Sequence, residues 1–508
     1  MRNGFRRISC ILHFVGGLLE ILGLILLFPL IVVIMYWGRM GDGWITAIAF
    51  VVTSLISFSL GIVLRNKFKS EMLDITGSML MCALGWLFVS AIGALPFVIA
   101  IGSNYLDACF EAMSGFTTTG ITVLSGLDDM PRSILFWRAL TQWLGGIGIL
   151  SFFLMITYRS GGAHHMFGAE SHKISSVRPA PGLFHTLRIL WAIYAAFTVL
   201  AAVILSIEKM PVFDAVCHSL TALSTGGFSP HDNSIEFYSL TDHPHYRLIE
   251  YTIIFLMMLG GINFLVHYRV LTRDFKALWD NTEIRYWWRL IAGFTAIIII
   301  DHLYKSGTFG ALFREGTPIK FSEFERTFRQ SLFQVMSILT TTGFGTKDIG
   351  SDFFGALSKQ LFLAMMVIGG CVGSTSGGFK VLRVAILNRL IYRELLKLRI
   401  SGSASTGVVI DKKIVPEDEV DRVAALFFIW MTLLLVGGGI TAVCSNLGPW
   451  ESLSGMFSAM GNIGPCYISG ADMIKIHPVV KLTYIFGMLA GRLEILPVLL
   501  LFSRKAWR

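Results

Sequence analysis

The stretch FEAMSGFTTTGIT, residues 110–122, returns three times along the chain in altered form. The later copies are CHSLTALSTGGFS (217–229), FQVMSILTTTGFG (333–345) and SGMFSAMGNIGPC (454–466). Aligned without gaps, they bring Gly120, Gly227, Gly343 and Gly464 into register. Two residues earlier stand Thr118, Thr225, Thr341 and Asn462, and six earlier a hydroxyl: Ser114, Thr221, Ser337 and Ser458. Thirteen earlier come Asp107, Asp214, Gln330 and Glu451, three acids and one amide. A single TTTG or STGG string is ordinary turn chemistry. Four in register, 107–121 residues apart, are an internal repeat.

These residue types suit a short helix that enters a membrane and ends in an extended, glycine-containing turn. An acid near the helix start complements the positive end of the dipole, and the negative end then faces inward at a cation. Glycine permits the backbone angles that turn carbonyls towards an axis. Four such turns supply rings of oxygens that replace the hydration shell of a potassium ion. Non-helical backbone at that depth is tolerated only where protein or water covers it.

The rest of the chain supplies the membrane. Of 508 residues, 54% are hydrophobic and only 15% charged, with a mean hydropathy of +0.66. A soluble chain carries about 25% charged residues, so a polytopic membrane protein is expected. Apolar runs predict spans near 10–37, 43–64, 73–101, 133–158, 184–207, 246–268, 286–304, 355–398, 419–444 and 478–502. The net charge of +9 sits in loops between these runs, which makes it a topology signal and excludes nucleic acid as its reason. Arg2, Arg6, Arg7, then Arg65, Lys67, Lys69, then Arg159, Lys173, Arg178, then Arg269, Arg273, Lys276 fall on one side. Arg389, Arg393, Lys397, Arg399 and finally Arg504, Lys505, Arg508 join them. This predicts cytoplasmic N- and C-termini. The apolar run after Met1–Arg7 lacks a small-residue cleavage site, so a signal anchor is expected. Seven scattered cysteines form no metal or disulfide pattern.

The expected fold is therefore all-α: four membrane–pore-helix–membrane repeats around a pseudo-fourfold pore, plus two extra N-terminal transmembrane helices. Its divisions are 1–70 for those two helices, then 71–160, 161–270, 271–400 and 401–508 for the repeats. The span after each pore segment carries small residues at Gly145-Gly146, Gly260-Gly261, Gly369-Gly370 and Ala490-Gly491, which allow close helix packing. Two departures stand out. The run 355–398 is too long for one crossing and is interrupted by GGCVGSTSGG (369–378), so a broken helix with a movable middle is expected. Arg492 stands where the other repeats have Ile147, Ile262 and Cys371, roughly 16 Å from the inner end of its span. A cation so deep faces a polar interior; it forms either a barrier below the filter or an ion pair, with Glu494 or a pore-helix group as partner.

These motifs resemble the Trk/Ktr/HKT superfamily of cation transporters from about residue 70 to 502, and the two leading spans look like its TrkH branch. The resemblance implies potassium uptake across a bacterial inner (cytoplasmic) membrane by a channel-like homodimer. It implies a filter of Thr118, Thr119, Gly120, Thr225, Gly226, Gly227, Thr341, Thr342, Gly343, Asn462, Ile463 and Gly464, holding potassium by backbone carbonyls. Glycine in all four ring positions implies potassium, since serine at the first goes with sodium in the family. It implies a gate of Gly369, Gly370, Gly373, Ser374, Thr375, Ser376, Gly377 and Gly378 closed with Arg492. A cytoplasmic, nucleotide-binding regulatory subunit like TrkA would dock on loops 158–183 and 380–420. No covalent cofactor is implied. The alternative is a proton- or sodium-coupled symporter using Glu494 or Asp301 near a broken helix. An enzyme built on His164, His165, Glu170 and His172 is disfavoured, because they lack H-E-x-x-H spacing.

Overall fold

The computed structural model describes residues 2–70, 73–148, 183–307, 321–399 and 407–507. Among these residues nearly all regular structure is helical. The chain opens with α1 (Arg2–Ile25), α2 (Pro29–Met35) and α3 (Trp44–Lys67). Helices α1 and α3 cross with almost no separation, because glycines face each other. A Cβ on Gly16 would lie 2.8 Å from the Gly61 carbonyl, and one on Gly61 would lie 2.7 Å from the Gly16 carbonyl. Ser54 and Ser57 use the closeness, donating across the crossing to the Gly23 and Leu19 carbonyls at 2.6 and 2.7 Å.

The order long helix, short helix, further helix then occurs four times among the described residues. In the first pass, α4 (Ile75–Gly93) and α5 (Leu95–Ile101) lead to α6 (Tyr105–Phe116), then α7 (Arg132–Trp143) and a π turn at Leu144–Gly148. In the second, α8 (Leu183–Ile207) and α9 (Val212–Leu223) are followed by α10 (Glu236–Leu240), α11 (Tyr246–Gly261) and α12 (Phe264–Leu271). The third has α13 (Thr282–Lys305), α14 (Phe321–Leu339), α15 (Ala356–Ile368) and α16 (Val381–Lys397). A two-residue hairpin, β1 (Val409–Ile410) with β2 (Lys413–Ile414), precedes the fourth pass. That pass has α17 (Glu417–Cys444), α18 (Pro449–Gly461), α19 (Gly470–Lys475), α20 (Pro478–Arg492) and α21 (Leu496–Leu501).

Only the run 355–398 reads as broken in the sequence, yet the last helices of the second and fourth passes break as well, and that of the first passes into a π turn. The second bends by 105° between α11 and α12. The break or π turn lies at the small-residue pair, where kinks at paired glycines are common. In the first, second and fourth passes the pair lies against the carboxyl end of the preceding short helix. A side chain on Gly145 would collide with the Phe116 carbonyl, and one on Gly491 with that of Met460, while a Cβ on Gly260 would lie 3.1 Å from that of Leu223. The small residues thus admit exposed helix-end carbonyls and interrupt their own helix in doing so. Broken pieces are short. Among the described residues five helices are long and apolar enough to cross a membrane, six with the bent α11–α12 pair, against ten spans expected.

Large apolar side chains remain exposed on the outer surface, including Ile34, Trp44, Ile207, Phe428 and Val443. An apolar surface of this extent marks contact with lipid or protein. Gly61→Val should force α1 and α3 apart at the cost of overpacking, about 1–3 kcal/mol. A lower thermal unfolding midpoint in detergent, with Gly17→Val (which faces open space beyond the Arg65 stem) as a milder control, checks this.

Candidate functional site

Each of the four short helices ends in the same backbone device. The N–H of the residue before the ring glycine bonds back five residues: Thr119 to Ser114, Gly226 to Thr221, Thr342 to Ser337 and Ile463 to Ser458, at 2.8–3.1 Å. The residue before that bonds back three, at 2.9–3.3 Å. This pair of bonds is the Schellman motif, which requires a left-handed residue and commonly uses glycine. Here the left-handed residues are Thr118, Thr225, Thr341 and Asn462, with φ of 54°, 53°, 57° and 54°. Asparagine tolerates that region, but a β-branched threonine there is an outlier. Such strain costs about 1–3 kcal/mol per residue and clusters at ligand clamps. The ring glycines follow with φ of 82°, 76°, 89° and 109°.

The four turns close on one another in chain order. A side chain on Gly120 would collide with the Gly226 carbonyl, on Gly227 with that of Thr342, and on Gly343 with that of Ile463. On Gly464 its Cβ would lie 3.1 Å from the Thr119 carbonyl, which returns to the first turn. All twelve predicted filter residues therefore lie in one closed ring of backbone. All the threonines among them, and Asn462, are fully buried.

Different side chains brace each turn from behind. Thr117 and Thr340 pair with Thr119 and Thr342, both at 2.7 Å. Asn462 donates to Thr119 Oγ1 and to the Met488 carbonyl, both at 2.9 Å. Glu111 accepts from Thr122 and from the Val123 N–H, and pairs with buried Arg138 at 2.7 Å. Arg138 also donates to the Ser229 carbonyl at 3.1 Å and lies over the Phe228 ring, linking the first two turns. Of the hydroxyls six before each glycine, Ser337 donates to the Phe344 carbonyl at 2.5 Å and Ser458 accepts from Gly464 N–H at 3.0 Å.

The acids at the helix starts do more than face the dipole. Asp107 pairs with Lys481 of α20 at 2.5 Å. Asp214 accepts from His231 Nε2 at 3.0 Å and from the Tyr238 hydroxyl at 3.2 Å. His231, in the loop after the second turn, also meets Asp128 at 2.5 Å. Burial lowers its pKa, but the hydrogen bonds and charges of Asp214 and Asp128 outweigh that and hold it above the ordinary histidine value.

The segment 369–378 lies directly beneath the ring. Its base closes as Phe379 and Lys380 N–H groups donate to the Val367 and Ile368 carbonyls at 3.0 and 2.7 Å. Gly369 and Gly378 cross there with no room for a side chain. Gly373, Ser374 and Ser376 form the turn, the Gly373 carbonyl accepting from Phe264 N–H at 3.1 Å. Thr375 Oγ1 lies within hydrogen-bond distance of the Leu223 and Gly260 carbonyls, at 2.9 and 3.0 Å, to either of which its one hydrogen can go, and 3.3 Å from Thr225 Oγ1. Gly377 N–H donates to Thr341 Oγ1 at 2.7 Å, and a Cβ there would lie 2.7 Å from that of Asn462. Cys371 N–H donates to Gly261, and Gly370 packs on Ser376.

Arg492 completes the layer. Its guanidinium donates to the Thr375 carbonyl at 2.8 Å and to those of Gly145 and Gly146 at 2.6 and 2.7 Å. The ion pair with Glu494 is not formed, because Glu494 pairs with Arg383 of α16. Asp301 caps the start of α15 through the Ser358 N–H at 3.0 Å. The histidine patch 164–172 and most of the loop 158–183 lie outside the described residues. Sequence spacing did not reveal Gln142, Arg138 or Glu283. Glu283, buried at the start of α13, accepts from the Val372 N–H of the segment at 2.7 Å. Only a polar residue inside an apolar run could have marked them.

Residues 46–507 match the profile of a family described as TrkH, cation transport protein. The chain is 31% identical over 473 residues to the Trk system potassium uptake protein TrkH of Salmonella typhimurium, covering 91% of this chain and 92% of that protein. It is 31% identical over 502 residues to an uncharacterized cation transporter of Methanocaldococcus jannaschii, covering 98% and 95%. The crystal structure of the potassium transporter TrkH from Vibrio parahaemolyticus superposes with a TM-score of 0.82 at 28% identity, over 99% of this chain and all of that one.

Glu111→Ala should leave Arg138 as an unpaired buried cation, a loss of about 3–5 kcal/mol. A lowered unfolding midpoint in detergent, with the smaller loss expected for the Glu111→Ala/Arg138→Leu pair, checks this.

Proposed function

The chain belongs to the TrkH family of cation transport proteins, and from that premise we propose that it takes up potassium through a channel-like pore. It is a membrane transporter, with a role in moving ions rather than in catalysis. The ring of four left-handed turns, each glycine against the next turn's carbonyl, carries the proposal. Four units of long helix, pore helix and further helix surround one axis, and the backbone carbonyls of the twelve ring residues replace the water around a potassium ion. The carboxyl ends of the four pore helices add their negative dipole ends to the same place.

The segment 369–378 and Arg492 form the gate. In this conformation the segment touches the second, third and fourth units beneath the ring, and Arg492 ties it to the first. The guanidinium places a positive charge on the path that a cation leaving the ring would take. Opening requires the segment to leave the Leu223, Gly260 and Thr341 positions and Arg492 to release the Gly145 and Gly146 carbonyls.

Uncoupled conduction is favoured over symport because the two carboxylates a coupled mechanism would use are engaged, Glu494 by Arg383 and Asp301 by the start of α15. The loop charges support cytoplasmic termini and a bacterial inner-membrane setting. A homodimer and a TrkA-like regulatory subunit are proposed from the likeness to proteins named for the Trk system.

Purified protein in liposomes, with potassium, rubidium and sodium flux measured in parallel, tests this. Gly120→Ser puts a side chain into the Gly226 carbonyl and should lower the potassium-to-sodium flux ratio roughly tenfold. An unchanged ratio would remove the ring from the permeation path. Arg492→Ala should raise potassium flux without altering that ratio, and flux at or below the parent's would rule out a barrier there.

A further inference from the structure

The position just before the ring glycine carries a side chain in three of the turns: Thr119, Thr342 and Ile463. In the second turn it is Gly226. Nothing in the backbone asks for glycine there, since the left-handed residues of that turn are Thr225 and Gly227. The space is simply taken. A Cβ on Gly226 would overlap the carboxamide carbon and oxygen of Gln142 and lie 2.8 Å from its nitrogen.

Gln142 comes from α7 of the preceding unit, 84 residues away, and is completely buried. Its Nε2 donates to the Gly226 carbonyl at 2.6 Å, and its Oε1 accepts from the Phe228 N–H at 3.0 Å. One carboxamide thus grips the turn on both sides of Gly227. The first and third turns are braced differently, by the Thr117–Thr119 and Thr340–Thr342 hydroxyl pairs. The second has Ser224 at the first of those positions and no hydroxyl at the other.

We propose that Gln142 is a positioning residue of the second filter turn, its carboxamide standing in for the absent side chain of residue 226 and holding the Gly226 carbonyl in register for potassium. This rests on the filter assignment above. An amide supplies a donor for the carbonyl and an acceptor for the N–H two residues on, from one rigid plane. With both groups buried, losing the amide leaves a carbonyl and an N–H unsatisfied at the site where ion size is judged.

The full chain in liposomes, with potassium and sodium flux compared, provides the test. Gln142→Met keeps the side chain's length and removes both hydrogen bonds, and should lower the potassium-to-sodium ratio about tenfold. Gly226→Thr alone collides with Gln142 and should lower it as well. Gln142→Ala combined with Gly226→Thr opens the space and lets the introduced hydroxyl face Ser224 as Thr119 faces Thr117. That double variant should exceed both Gly226→Thr and Gln142→Ala in the ratio, a rescue that loss of folded protein cannot imitate. A parent-like ratio in Gln142→Met, or a double variant no better than its singles, overturns the proposal. Gly120→Ser measured alongside separates the two levels. If it shifts the ratio while the Gln142 variants do not, only the positioning role falls; if none of them shifts it, the filter assignment falls and this role with it.

Discussion

Four backbone turns meet at contact distance, and each can do so only because the ring glycine leaves its neighbour's carbonyl the place a Cβ would fill. That steric requirement propagates outward. Turns this close need the short helices to end abruptly, which the Schellman caps achieve with threonine or asparagine in the left-handed region. Helix ends placed this deep need something that approaches their carbonyls without bulk, and in three of the four units the paired small residues of the following helix do so. Those same pairs interrupt their helices. The breaks beneath the ring are thus a consequence of the ring itself.

The four units share this frame but not its supports. The first turn leans on Glu111 and Arg138, the second on Gln142, the third on its threonine pair, and the fourth on Asn462 and Ser458. Buried polar groups must find partners or cost free energy, and each turn meets that demand with what its own neighbours offer. Unequal supports allow unequal tasks. The third unit carries the glycine-rich segment under the ring, and the fourth carries the arginine that joins it to the first unit.

Arg492 illustrates how partners decide a role. Its depth in an apolar run marked it as functional or paired, and Glu494 stood close by in sequence. The bend after α20 sends Glu494 to Arg383 instead, and Arg492 bonds three backbone carbonyls, of Thr375, Gly145 and Gly146. A carbonyl accepts from a guanidinium N–H without supplying the opposite charge that a carboxylate brings.

The sequence alone determined the membrane setting, the positions of the short helices, the register of the ring glycines and the interruption of the helix at 369–378. These follow from local pattern: apolar run length and glycine spacing. Tertiary structure decided the left-handed threonines, the breaks in the last helices of the second and fourth passes, and the partnerships of Gln142, Arg138, Glu283 and Glu494. Those join residues 27 to 111 positions apart, or depend on a carbonyl that no residue name reveals. Spacing along the chain reports what a helix or turn can do by itself. It says nothing of which buried donor meets which acceptor once the four units have closed around one another.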